Sequence, residues 1–271
     1  MSHIEKALEK ARKERQDVPE GPRTIKHQDV RSALPLDPVY TETRSVPVEE
    51  SILVEQRLAT LSAAPVVIEQ YNILKTKIFQ RTRDEHLNTL MVTSVGPGEG
   101  KTLTAVNLAL SMAREMDQTV LLVDADLRSP AIHNCFGLPS EPGLADYLFR
   151  NSLVPDLLVN PGIAKLTVMP AGNLPSHSLE YLSSPRMAAL VDEMKERYPD
   201  RYVIFDCPPL LGYADSLVFS EYVNGIILVV EAEKASGADI RKALDLLSGR
   251  NVIGTVLNRA DPAGGKCGYY R

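Results

Sequence analysis

Residues 90–110 read LMVTSVGPGEGKTLTAVNLAL. An apolar run ends at Ser94, and a turn rich in glycine and proline follows. Lys101-Thr102 then opens a stretch with apolar residues at helical spacing. Strand, glycine-rich loop and helix in that order form a phosphate-binding loop. Its glycines let successive backbone N–H groups curl round phosphate oxygens, and the helix N-terminus adds the positive end of its dipole. In such a loop the Lys101 ammonium reaches the β- and γ-phosphates of ATP, and the Thr102 hydroxyl faces Mg²⁺. Gly96, Pro97, Gly98, Glu99, Gly100, Lys101, Thr102 and Leu103 are therefore the candidate nucleotide contacts. Val95 departs from the usual pattern, which has glycine or alanine five residues before Gly100.

Outward from this loop, apolar runs alternate with helical ones. NTLMVTS (88–94), QTVLLVDAD (118–126), KLTVMPAG (165–172), RYVIFDCPP (201–209), GIILVVEAE (225–233) and NVIGTVLNR (251–259) read as buried parallel strands. Helical patterns cover 66–83, 101–116, 185–198 and 237–249. That alternation predicts an α/β fold with a doubly wound, mostly parallel sheet. In such a sheet ligands bind at the carboxyl ends of the strands. Asp124 and Asp126 stand just past one strand and Asp206 at the end of another, so all three converge on Lys101. Carboxylates placed there are costly unless they face a ligand or a metal. Mg²⁺ keeps several waters, so Thr102 and these carboxylates are expected to hold it, some through water.

Composition narrows the class. The 271 residues suffice for one large α/β domain with an appendage. A net charge of −5 argues against nucleic acid as the main partner. Cys135, Cys207 and Cys267 are odd in number and widely spaced, which reads as free thiols in a reducing compartment. The opening MSHIEKALEKARKER is too charged for a secretory signal, and no apolar run reaches the roughly 18 residues of a membrane span. A cytoplasmic protein is expected, brought to any membrane by a partner.

Four segments follow from the pattern. Residues 1–16 carry Ile4, Ala7, Leu8 and Ala11 at helical spacing, either a frayed terminal helix or a docking helix. Residues 17–65 are proline-rich and read as a flexible linker, with a short helix near ESILVEQRLATL. Residues 66–260 form the P-loop domain, and 261–271 a tail ending in Tyr269 and Tyr270.

GPGEGKT, LLVDADLRSP and VIFDCPP together resemble the Walker A, A′ and B motifs of the bacterial tyrosine kinases, P-loop autokinases of exopolysaccharide and capsule assembly. The resemblance covers 66–271 and extends to GLADYL, MPAGNLPS and GTVLNR. The first residues look like the start of the autokinases encoded with exosortase-linked systems. The partition and division-placement ATPases share the fold, but their loop carries a signature lysine where this chain has Gly96. A nucleotide-driven switch of that kind, without kinase activity, is the alternative function; a non-catalytic scaffold is a weaker one.

The resemblance implies a set of roles. Lys101 and Mg²⁺ spread the charge of the transferring phosphoryl group. Asp124 stands near the acceptor hydroxyl as general base or positioner, while Asp126 and Asp206 hold metal. Arg128 steadies the Asp126 region or the phosphates, unless it makes only a surface ion pair; Asn258 reads the base, unless it is a polar strand cap. The acceptors are Tyr269 and Tyr270, reached between subunits of a homo-oligomer, possibly a ring. A separate chain-length-determinant membrane protein supplies anchor and activation, and a cognate phosphatase reverses the reaction. Where the family carries ExxRxxR for subunit packing, this chain has Glu69, Asn72 and Lys75. Lysine lacks arginine's bidentate fork, so a closed ring is less secure here. Ser178 stands where a proline is common.

Overall fold

A computed structural model describes residues 43–58, 64–173, 178–197 and 200–260. The expected N-terminal helix 1–16 and tail 261–271 lie outside the described residues.

Eight strands make one sheet: β1 (Arg44–Ser45), β2 (Thr89–Ser94), β3 (Thr119–Asp124), β4 (Val159–Asn160), β5 (Leu166–Met169), β6 (Arg201–Asp206), β7 (Gly225–Glu231) and β8 (Val252–Asn258). Their spatial order is β1-β4-β5-β3-β6-β2-β7-β8. Every neighbouring pair is parallel except β4 with β5. The central strands are apolar on both faces because helices cover both. β2 and β3 are buried at every position, and two hydrophobic clusters take the alternate residues: Leu90 and Val92 lie in one, Met91 in the other.

The helix that follows β2, Lys101–Ala113, is buried from Thr104 to Ala113. It is sandwiched between the sheet and the helix Pro65–Thr82, so it carries apolar residues nearly all round. Helix Pro185–Arg197 packs on the opposite cluster through Met187, Leu190, Val191 and Met194, with its charged face outward.

Register sets the site. β6 lies between β2 and β3, and pairs Val92 with Asp206 on one side and Asp124 with Asp206 on the other. Both carboxylates thus end up beside the loop that leaves β2.

The six expected strands all form, within two or three residues of their expected ends. Two differences stand out. β8 was expected to be buried but is the sheet's edge, with Ile253 in the core and Leu257 61% exposed. Part of the expected linker 17–65 also belongs to the domain. β1 adds to the sheet edge beside β4, helix Glu50–Glu55 follows, and Leu58 is buried in the main cluster. Two-residue strands carry no readable period, and prolines hid this stretch. Among the described residues no helix is long and apolar enough to cross a membrane.

Leu58 provides a test of that correction. A Leu58→Ala variant is expected to lose about 2–5 kcal/mol in urea unfolding, the cost of truncating a buried leucine. A residue in a free linker would lose under roughly 0.5 kcal/mol.

Candidate active site

The loop Gly96–Gly100 closes onto the helix start with Gly98 at φ 75° and Gly100 at φ 90°. Gly100 also has no room for a side chain: a Cβ there would lie 2.1 Å from the Asn258 amide nitrogen. That amide donates to the Glu99 carbonyl at 2.8 Å, so the end of β8 clasps the loop. Lys234 holds the loop from the other side, donating to the Pro97 carbonyl at 3.0 Å. Glu231 in turn pairs with Lys234 at 3.0 Å and with Arg259 at 2.7 Å. The Glu99 carboxylate turns inward, 2% exposed, and accepts the Val95 N–H at 3.1 Å. Burial raises its pKa, against the pull of the backbone N–H groups.

Lys101 lies between two buried carboxylates, 2.6 Å from Asp126 and 3.5 Å from Asp206. The Thr102 hydroxyl donates to the other Asp206 oxygen at 2.5 Å. Asp126 is 2% exposed and Asp206 is fully buried. Unpaired charges at that depth would cost several kcal/mol each. Burial works to lower the Lys101 pKa, but Asp206 and Asp126 outweigh it and hold it up at about 12. Lys101 is therefore a cation at any physiological pH. Burial raises the pKa of both Asp206 and Asp124; proximity of Asp206 adds to the rise at Asp124, while Lys101 opposes the rise at Asp206.

Asp124 is spent on the backbone. One oxygen accepts the Asp126 N–H at 3.2 Å, and the other accepts Ala131 and Ile132, each at 3.0 Å. The loop 126–132 is thus wound round a buried carboxylate, which fixes where Asp126 stands. Asp126 closes the same turn by accepting the Ser129 N–H at 3.0 Å.

Arg128 crosses to the segment after β6. Its Nε lies 3.1 Å from both oxygens of Asp215, and its Nη2 lies 3.0 Å from Oδ2. Asp215 is fully buried and also accepts the Ser178 hydroxyl at 2.8 Å. The guanidinium covers the Tyr213 ring at 4.6 Å. Between the alternatives for Arg128, the geometry favours a brace: it ties the loop carrying Asp126 to the loop after Asp206.

These groups surround a cavity of about 510 Å³. Pro97, Gly98, Gly100, Lys101, Thr102 and Leu103 line one side, and Asp126, Arg128 and Tyr213 another. The expected site residues divide accordingly. Gly96 and Glu99 stand behind the loop, as do Asp124 and Asp206 behind Lys101; they shape the site without lining the cavity. Asn258 supports the loop, and the next residue, Arg259, lines the cavity instead. Glu69, Asn72 and Lys75 lie away from it on helix Pro65–Thr82. There Asn72 bonds to Glu69 and Ser111, and Lys75 pairs with Glu115 at 2.5 Å, all within the chain. Tyr269 and Tyr270 lie outside the described residues.

The donors suit a phosphate and a small hard cation. A hydroxyl and two carboxylates are the oxygen ligands Mg²⁺ prefers, with water completing the set. Among the described residues no three His, Cys, Asp or Glu side chains form a metal site by themselves. Sequence reading missed Asp215, Ser178, Lys234 and Glu231. An aspartate opening a short helix and a polar pair after a strand give no signal until the fold brings them to the loop.

Asp124 yields a test of its role. In Asp124→Asn, one amide face presents donors to a backbone N–H that needs an acceptor. The variant is expected to lose about 1–3 kcal/mol of stability along with activity. Lost activity at unchanged stability would mark a residue that acts on the reactant instead.

Comparison with known proteins gives the family. A family profile described as "ParA: NUBPL iron-transfer P-loop NTPase" matches residues 86–269. Tyrosine-protein kinase YwqD of Bacillus subtilis (strain 168) is 34% identical over 192 residues, 70% of this chain and 80% of the relative. A putative tyrosine-protein kinase, CapB of Staphylococcus aureus, is 28% identical over 206 residues, 75% of this chain and 89% of the relative. The crystal structure of the chimerical protein CapA2B2 superposes with a TM-score of 0.69 at 29% identity, covering 86% of this chain and 98% of the other. With the ParA-type profile spanning its P-loop domain and a named kinase this similar over most of both chains, the protein belongs to the bacterial tyrosine-kinase family of P-loop NTPases.

Proposed function

We propose that this chain transfers the γ-phosphoryl group of ATP to tyrosine, with Tyr269 and Tyr270 of a neighbouring copy as acceptors. The observation that carries the reading is the convergence of Lys101, Thr102, Asp126 and Asp206 at one cavity beside a glycine loop. The loop N–H groups and Lys101 hold the phosphates. Thr102, Asp126 and Asp206 would hold Mg²⁺, with water completing its coordination. The ion, when bound, neutralises the phosphate oxygens and the charge developing on the leaving group.

In the transfer, the tyrosine oxygen bonds to the γ-phosphorus as the bond to the β–γ bridging oxygen breaks. The transition state is loose, so orientation of the hydroxyl matters more than its early deprotonation. Asp126 lines the cavity and is the carboxylate placed to orient the hydroxyl and take its proton. Asp124, with three backbone N–H partners, acts by positioning Asp126.

Tail delivery follows from topology. β8 runs parallel to β7, so its carboxyl end lies at the ligand edge, and Arg259 already lines the cavity. Eleven residues from Ala260 to Tyr270 span at most roughly 35 Å when extended. Each phosphate adds about −1.5 to −2 charge, which the carboxylates around the site repel. An unmodified tail holds copies together and a phosphorylated one releases them. A separate membrane protein as anchor and activator, and a role in polysaccharide export, complete the proposal.

Incubation with ATP·Mg²⁺ followed by mass measurement tests it. Wild type is expected to gain phosphate on the tail. Lys101→Met should slow this about 10²-fold or more, and the double variant Tyr269→Phe/Tyr270→Phe should lose most of it. Tail phosphate on Lys101→Met at the wild-type rate would sink the proposal. ATP hydrolysis with no phosphotyrosine would favour the partition-type switch.

A further inference from the structure

The wall of the nucleotide cavity is not built by the P-loop domain alone. Gln56, from the stretch expected to be a linker, lines it, as do Leu103 and Cys135. The path of the chain explains how it gets there. Val46 and Val48 donate to the carbonyls of Asn160 and Pro161 at 2.9 and 3.1 Å, extending the edge pairing of β1. Helix Glu50–Glu55 then seats Ile52 against Gly137, where even a Cβ would come within 2.7 Å of its side chain. Arg57 turns the chain at φ 56°, and its carbonyl accepts the Asn107 amide at 3.4 Å. Leu58 closes the segment in the core at 2% exposure. Gln56 is thus held from both sides: by Ile52 one turn before it, and by Arg57 and Leu58 directly after.

We infer that residues 43–58 form a strap across the nucleotide site and that Gln56 hydrogen-bonds the nucleotide bound there. The carboxamide suits this position. It offers two donors and one acceptor, carries no charge to compete with Lys101, and takes no hydrogen-bond partner among the described residues. Leu103 and Cys135 are apolar, and Cys135 is only 9% exposed with its thiol pushed up to about 11 by burial. A cysteine so held is inert, whereas Gln56 brings a polar side chain to the wall from outside the P-loop motifs. Affinity for nucleotide then depends on the strap being seated. The inference rests on the nucleotide reading of the cavity and adds to it a contact outside the P-loop motifs.

Calorimetric titration with ADP·Mg²⁺, which binds without turnover, is the test. Gln56→Ala is expected to weaken Kd about threefold to tenfold, the loss of one side-chain hydrogen bond. The chain contains no tryptophan, so a second measurement is direct. Gln56→Trp should change its emission when ADP·Mg²⁺ is added, while Val54→Trp, on an exposed position of the same helix, should not. Wild-type Kd retained by Gln56→Ala, together with silent emission from Gln56→Trp, overturns the strap contact alone. No binding by wild type overturns the nucleotide reading and the strap contact with it.

Discussion

The ion pairs of Lys101 with Asp126 and Asp206 are what the rest of the site depends on. Two carboxylates that buried need a cation, and one ammonium serves both. The same ammonium is the group a phosphate-binding loop presents to ATP. Its three donors already face Asp126, Asp206 and Thr102, so a contact to phosphate competes with one of them. Under the proposed function, phosphate drawing on Lys101 would leave the carboxylates in need of another positive charge, which Mg²⁺ would supply. Coupled binding of ATP and metal would then follow from charge balance. Thr102 belongs to the same exchange: its hydroxyl donates to Asp206 here, and its oxygen is free to face the ion once that bond gives way.

Around this centre the protein spends buried polar groups on holding loops still. Asp124 winds 126–132 round its carboxylate, Asp215 receives Arg128 and Ser178, and Glu99 and Asn258 grip the phosphate loop. Such groups are costly unless fully satisfied, and their satisfaction is what fixes one loop geometry. The order of strands makes it possible, since β6 brings Asp206 between the ends of β2 and β3.

Much of this was legible from the chain alone. The strand–loop–helix of 90–110 identified the fold and the phosphate site, and apolar runs ending in Asp124 and Asp206 placed the carboxylates correctly. What stayed hidden has physical reasons. Asp124 read as either general base or positioner because sequence gives its position and not its hydrogen bonds; three backbone N–H groups claim it, which favours the positioner. Asn258 read as a base contact, but a glycine 158 positions earlier needed its amide closer. Asn72 and Lys75 read as subunit contacts, yet Ser111 and Glu115 of the neighbouring helix and its C-terminal turn reach them within the chain. Of the strap 43–58 only the short helix near ESILVEQRLATL was legible; its docking on the domain stayed hidden because two-residue strands and proline turns have no period, and its burial comes from distant partners.

The exchange at Lys101 can be seen directly in a structure of the ADP·Mg²⁺ complex. The expected result is Lys101 Nζ on phosphate oxygen and out of contact with Asp126, with an ion beside Thr102 Oγ1 and the Asp206 carboxylate. Lys101 still paired to both carboxylates with nucleotide and metal bound would contradict the charge-balance account.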